Sequence, residues 1–130
     1  MASDLESQMV AVERIKVYAN MPQEASHFIP ENDPSSDWPH SGGIDFERVK
    51  MSYRPGLPLV LNSLSMTIYP GEKIGIVGRT GAGKSSLVVA LLRLVELESG
   101  RIMIDDEDIS LLGLNRLRKA IAVIPQVSQY

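Results

Sequence analysis

Residues 78–86 read Gly-Arg-Thr-Gly-Ala-Gly-Lys-Ser-Ser, and this run limits what the chain can become more than any other. Gly78, Gly83, Lys84 and Ser85 fit the spacing Gly, four residues, Gly, Lys, Ser/Thr, the pattern of a loop that cradles phosphates. Glycines let the backbone turn tightly and point successive N–H groups at one spot, which makes a concave anion site. Such a loop opens a helix whose N-terminal N–H groups and partial positive charge favour a polyphosphate. Lys84 supplies a compact positive charge, and the Ser85 hydroxyl supplies an oxygen for Mg²⁺.

The flanking residues agree with that pattern. Lys73-Ile-Gly-Ile-Val77 is an apolar run of the kind expected for a buried parallel strand. Beyond the loop, Leu87, Val88, Ala90, Leu91, Leu92, Leu94 and Val95 give a broad apolar helical face, predicting a helix from Lys84 to about Val95. Strand, glycine loop and helix together predict nucleotide binding, because a chance match to the four fixed positions occurs in roughly one random chain of this length in a few hundred.

The rest of the composition narrows the class. A chain of 130 residues suits one domain. A net charge of −3 gives no reason to expect nucleic acid or an anionic membrane surface as partner. Without cysteine there is neither a disulfide framework nor a thiolate metal site. The longest uncharged apolar stretch, Ser85 to Leu92, lies between Lys84 and Arg93 and is far short of the ~20 residues of a spanning helix. The charged first twenty residues do not read as a signal peptide, so direct membrane insertion is not expected.

Along the chain, three segments are expected. Residues 1–20 predict an amphipathic helix, with Ser3 and Glu6 as a capping box. Residues 21–43, with Pro22, Pro30, Pro34, Pro39, Gly42 and Gly43, predict an extended linker in which His27 and His40 are solvated. From Ile44 a globular part begins: two antiparallel strands flanking Arg54-Pro55-Gly56, the run 73–77, the loop and its helix, an end to that unit at Ser99-Gly100 and a short strand from 102 to 104. A basic helix over 115–120 and a last apolar strand over 121–124 complete it. Asp105-Asp106-Glu107 after Ile102-Met103-Ile104 imitates an apolar strand ending in metal-binding acids. The run is too short and the acids continue to Asp108, so a solvated turn is expected.

Together these pieces resemble an ATP-binding cassette, the nucleotide-binding domain of ABC transporters. GEKIGIVGRTGAGKSSL at 71–87, ESGRIMID at 98–105 and LRKAIAVIPQ at 117–126 look most like the second cassette of the multidrug-resistance-associated (ABCC-type) subfamily. MVAVERIKVY at 9–18 resembles the connection from the last membrane helix into that cassette. The resemblance implies an α/β fold of the P-loop NTPase type. Residues 44–130 would form its N-terminal portion, with an antiparallel β subdomain and a partial parallel core sheet with helices.

It also implies ATP and Mg²⁺ as ligands. Tyr53, in MSYRPG, matches the aromatic that stacks on adenine. The backbone of Gly78, Arg79, Thr80, Gly81, Ala82, Gly83, Lys84, Ser85 and Ser86 would wrap the phosphates. Lys84 and Gln126 match catalytic positions, and Ser85 and Gln126 match the metal-binding ones. Gln126 is the Q-loop glutamine, which also senses the membrane domains. The implied partners are transporter transmembrane domains and a second cassette, at the cytoplasmic side of a membrane, in a parent protein that couples ATP hydrolysis to export.

Two departures stand beside the resemblance. Ile104-Asp105-Asp106 replaces the family's Ile-Asp-Gly, so Asp106 is expected to hold a left-handed turn position. After Gln126 come only Val127-Ser128-Gln129-Tyr130. The family's signature motif, catalytic Asp-Glu strand and switch histidine are not among these residues. The leading expectation is therefore an N-terminal, truncated part of an ABC-type ATPase domain that binds ATP and hydrolyses it negligibly alone. The alternative is a non-catalytic interaction protein that engages transporter membrane domains or a full cassette.

Overall fold

In the computed structural model, which describes residues 1–79 and 83–125, the globular part is built on one antiparallel sheet. Its strands are β1 (Ile44–Met51), β2 (Leu61–Ile68), β3 (Ser99–Ile104) and β4 (Glu107–Asp108), in the order β2-β1-β3-β4. Helix α1 (Ala2–Ala19) precedes it, α2 (Lys84–Leu91) lies between β2 and β3 in the chain, and α3 (Leu114–Ala120) follows. The two strands expected around Arg54-Pro55-Gly56 are thus present as an antiparallel pair.

Strict alternation in β1 would send Phe46, Arg48 and Lys50 to one face. The strand avoids this with a bulge. Phe46 pairs with Met66 and Val49 with Leu64, so Glu47 and Arg48 oppose the single residue Ser65. Arg48 takes a φ of 47° there. The extra residue resets the pleat, and Phe46, Val49 and Met51 all become buried. Against β3 the bulge presses on Gly100, whose φ is 80° and where a Cβ would lie 2.4 Å from the Arg48 carbonyl oxygen. Ser99-Gly100 is therefore part of β3, which starts three residues earlier than the Ile102 that the sequence predicts. Only glycine fits beneath the bulge.

The core is one cluster in which Phe46, Val49, Met51, Ile102 and Ile104 of the sheet meet Leu87 and Ala90 of α2 and Leu117 of α3. Helix α2 ends at Leu91 rather than Val95. Arg93 adopts a φ of 50°, its N–H donates to Ala90 O at 3.1 Å, and Leu94 N–H donates to Val89 O at 3.0 Å. This is a Schellman ending with arginine in the usual glycine place. The Arg93 side chain holds it there. Its guanidinium, 8% exposed with the rest of the residue, donates to the carbonyls of Ile109 at 3.0 Å and Leu112 at 2.9 Å and pairs with Glu96.

Residues 21–43 contain one short 3₁₀ turn, Pro30–Asn32, and are pinned to the sheet and to α3 along their length. Ser26 O and His27 O accept the N–H groups of Leu114 and Asn115 at 3.1 Å each, capping α3. Arg118 pairs with Glu24 at 2.7 Å. Trp38 is buried, and its indole N–H donates to Ile104 O at 3.0 Å. The loop after it ends on Asp105, whose carboxylate accepts the N–H groups of Ser41, Gly42 and Gly43 at 2.7, 2.9 and 2.8 Å.

Three element-level expectations are corrected. Ser3 lies inside α1 with Met1 at its N-cap and no side-chain cap bond, so the capping box does not form. Apolar residues occur all round α1 and none of its residues is buried, because no other element packs on it among the described residues. The runs 73–77 and 121–124 are not strands. Ile74, Ile76 and Val77 are 45, 51 and 97% exposed, and Val123 and Ile124 are 50 and 93%. A parallel strand exists only through ladder partners on its flanks, and among the described residues neither run has one. The α/β fold is therefore present with its antiparallel part assembled and the parallel core sheet unformed within these residues.

Candidate phosphate-binding site

The antiparallel pair carries the loop helix into position. Val60, just before β2, donates its N–H to Met51 O at 2.8 Å. Its own carbonyl oxygen sits where a Cβ on Gly83 would come within 2.8 Å, and Gly83 has a φ of 85°. Glycine is required at that position twice over, for the left-handed backbone and for the close approach to the strand. Gly83 is also the N-cap of α2, whose first turn carries no acidic residue. Its orphan N–H groups thus present positive potential without a competing carboxylate.

Lys84 begins α2 and folds back over the loop. Its ammonium donates to the carbonyl oxygens of Gly78 and Arg79, the latter at 2.7 Å. An ammonium has three donors and no acceptor, and among the described residues two of the three are taken by these carbonyls. Ser85 is exposed on the same turn and Ser86 is buried. Gly78 and Arg79 are exposed. Thr80, Gly81, Ala82 and Gln126 lie outside the described residues.

Tyr53 follows β1 and is 43% exposed. Its hydroxyl lies 2.7 Å from Ser86 Oγ. The structure therefore brings Tyr53 to the same turn of α2 that carries Lys84 and Ser85, across 33 residues of sequence. The sequence predicts only a backbone part for Ser86, and no local pattern signals this side-chain partnership. Beside Tyr53, Ser52 is buried and donates to Arg54 O at 3.0 Å and to the Glu98 carboxylate, fixing the strand end from which Tyr53 projects.

The acids after β3 serve the fold. Asp105 and Asp106, with φ of 47° and 66°, form the two-residue turn of a hairpin in which Ile104 pairs with Glu107. Both central residues are left-handed, where the sequence predicts one. Asp105 is not solvated, its side chain being 3% exposed, because the linker closes over it. Burial pushes its carboxyl up, and the N–H groups of Gly42, Ser41 and Gly43 outweigh burial and hold it below the usual value of 3.8. Asp108 accepts from the Ser110 N–H and hydroxyl at 2.9 and 2.7 Å. Among the described residues no group of three or more His, Cys, Asp or Glu could hold a metal, and no helix is long and apolar enough to cross a membrane.

Comparison with known proteins converges on one family. The family described as ABC transporter matches residues 61–130, more than half of the chain. The ABC-type transporter cicA of Emericella nidulans is 55% identical over 125 residues, covering 95% of this chain and 9% of that protein. The oligomycin resistance ATP-dependent permease YOR1 of Saccharomyces cerevisiae is 54% identical over 122 residues, covering 93% and 8%. The multidrug resistance protein mrp-7 of Caenorhabditis elegans is 48% identical over 124 residues, covering 95% and 8%. The chain thus spans less than a tenth of the length of these relatives. Among solved structures, a bacterial Atm1-family ABC exporter with ATP bound superposes with a TM-score of 0.76 at 26% identity, over 93% of this chain and 20% of that one.

Proposed function

Because the chain belongs to the ABC transporter family, with the N-terminal part of its α/β cassette fold, we propose that it binds ATP with Mg²⁺ through residues 78–86. The observation that carries this is the seating of Lys84. Its ammonium is held at the mouth of α2 by loop carbonyls, with a Gly83 that admits no side chain beneath it. Polyphosphate oxygens compete for an ammonium better than neutral carbonyls do, because they add the attraction of opposite full charges to the hydrogen bond.

The donor set suits a polyphosphate with a hard cation. Backbone N–H groups from Gly78 to Ser86 and Lys84 would take the phosphates, Tyr53 the adenine, and Ser85 with Gln126 the metal. When bound, Mg²⁺ supplies charge neutralisation across the phosphate oxygens. Lys84 and Gln126 hold the catalytic positions of the parent domain. Phosphoryl transfer to water needs a residue that orients the nucleophile, and the catalytic Asp-Glu strand that the family uses for this is not among these 130 residues. The chain alone therefore binds ATP and hydrolyses it negligibly. In the parent transporter, hydrolysis drives export, with transmembrane domains and a second cassette as partners at the cytoplasmic side of the membrane.

The test is titration of the 130-residue chain with ATP in Mg²⁺, read alongside phosphate release. Binding that weakens at least tenfold in Lys84→Ala, without turnover, is expected. Turnover at ordinary cassette rates, abolished by Lys84→Ala, would refute the non-hydrolytic reading.

Helix α1 favours a second reading, a non-catalytic interaction protein. Leu5, Met9, Val12, Ile15, Val17 and Tyr18 are all more than half exposed, an apolar surface suited to a protein partner. Co-purification with a transporter's membrane domains or full cassette that persists in Lys84→Ala supports this reading, and loss of partner with loss of ATP binding contradicts it.

A further inference from the structure

We propose that Tyr53 and Ser86 form a hydroxyl relay that ties the base-facing ring to the phosphate loop, with the Ser86 side chain as a positioning residue for adenine. This rests on the nucleotide-binding reading above and adds to it a side-chain role for Ser86. The two oxygens are 2.7 Å apart, a full-strength O–H···O distance. Ser86 is 4% exposed and Tyr53 is 43% exposed. The tip of the phenol is therefore anchored at a buried point, and the body of the ring stays open to solvent and to a ligand.

The direction of the bond matters. A phenol, with a pKa of about 10, is a better donor than an aliphatic alcohol. With Tyr53 donating to Ser86 Oγ, the serine's own proton has no other acceptor among the described residues and would turn to a phosphate oxygen. Hydrogen bonds in series polarise and strengthen one another. A phosphate on Ser86 would thus tighten the hold on Tyr53, and a base on Tyr53 would favour the serine orientation that receives phosphate.

The backbone holds both ends of the relay still. Ser86 N–H donates to Gly83 O at 3.1 Å on the first turn of α2. The Gly83 backbone lies against Val60 O, and Val60 N–H donates to Met51 O at 2.8 Å, two residues before Tyr53. The backbone at both ends is thus held, and the hydroxyl bond then fixes the side-chain torsions of Tyr53. Fixing the ring in advance lessens the entropy lost when a base stacks on it.

The test compares ATP with inorganic tripolyphosphate, which has the charge and lacks the base. Both are titrated in Mg²⁺ into the full chain and into Tyr53→Phe, Ser86→Ala, Ser86→Thr and the Tyr53→Phe/Ser86→Ala double variant. A neutral hydrogen bond is worth about a fivefold change in affinity. The relay predicts that Tyr53→Phe and Ser86→Ala each lower the ATP-to-tripolyphosphate affinity ratio about that much, that the double variant is no worse than either single one, and that Ser86→Thr restores the ratio. An unchanged ratio in Tyr53→Phe, or losses that multiply in the double variant, overturns the relay and leaves nucleotide binding standing. If the unaltered chain binds neither ligand, nucleotide binding itself fails and the relay with it. Should Ser86→Ala unfold, Tyr53→Phe against Ser86→Thr still decides.

Discussion

Gly83 joins fold to site, and replacing it with alanine separates two costs that usually arrive together. The first is conformational: an L-residue in the left-handed region costs about 1–2 kcal/mol, and Gly83 sits at a φ of 85°. The second is steric: its Cβ would lie 2.8 Å from Val60 O, which forces a backbone shift worth about 1–3 kcal/mol. Gly56 provides the control, with a φ of 84° and nothing within 4 Å of its Cβ position. Gly56→Ala should therefore lose only the first cost and Gly83→Ala both, about 2–5 kcal/mol. Urea denaturation followed by circular dichroism reads the difference as a shift in midpoint at constant slope. Equal destabilisation by the two substitutions would refute the claim that the phosphate loop is seated against the end of β2. A Gly83→Ala chain that stays stable yet loses ATP would show that the loop yields before the strand does.

Other consequences follow from the same contacts. Asp105→Asn removes the charge from three backbone hydrogen bonds and should lower stability at neutral pH by about 1–2 kcal/mol. Because the folded Asp105 carboxyl lies below 3.8, its contribution is complete above that ordinary value and is lost as pH falls through the depressed folded one. The gap between Asp105→Asn and the unaltered chain should accordingly close on acidification below about pH 4, and a gap that widens would contradict this. Arg93→Met strips two buried carbonyls of their donor and should cost about 2–4 kcal/mol by thermal or urea denaturation. Native-state hydrogen exchange should find amides 73–77 and 121–124 nearly unprotected while β1 and β3 are protected, since among the described residues β1 and β3 have ladder partners and the two runs do not.

What the sequence revealed tracks how local each signal is. The β1–β2 pair was legible because Ile44, Phe46, Val49 and Met51 mark one strand and a Pro-Gly turn follows within six residues. The start of α2 was legible because the glycine loop is itself the signal. The end of α2 was not, since arginine at a left-handed cap is held by Ile109 and Leu112, 16 and 19 residues away. The linker's attachment was hidden for the same reason. Its proline and glycine content describes backbone freedom, while its anchors, Trp38 to Ile104 and Gly43 to Asp105, are separated by 66 and 62 residues. An isolated tryptophan in a polar, proline-rich stretch was the one available hint. Residues 73–77 show the reverse case: the apolar run reads as a strand, but a run alone cannot supply the partner that makes it one. At the site, motif spacing singles out Lys84 and Ser85 and the family resemblance adds Tyr53, whereas the contact between Tyr53 and Ser86 exists only after folding.

The central claim is that residues 78–86 form the ATP site, and amide chemical shifts tested residue by residue address it most directly. On adding ATP with Mg²⁺ to the ¹⁵N-labelled chain, the largest changes should fall on Gly78 to Ser86 and Tyr53. Those on α1 and on the Asp105–Asp106 turn should stay small. The same titration in Lys84→Ala should lose the effect. Changes centred away from the loop, or a loop response that survives Lys84→Ala, would contradict the account.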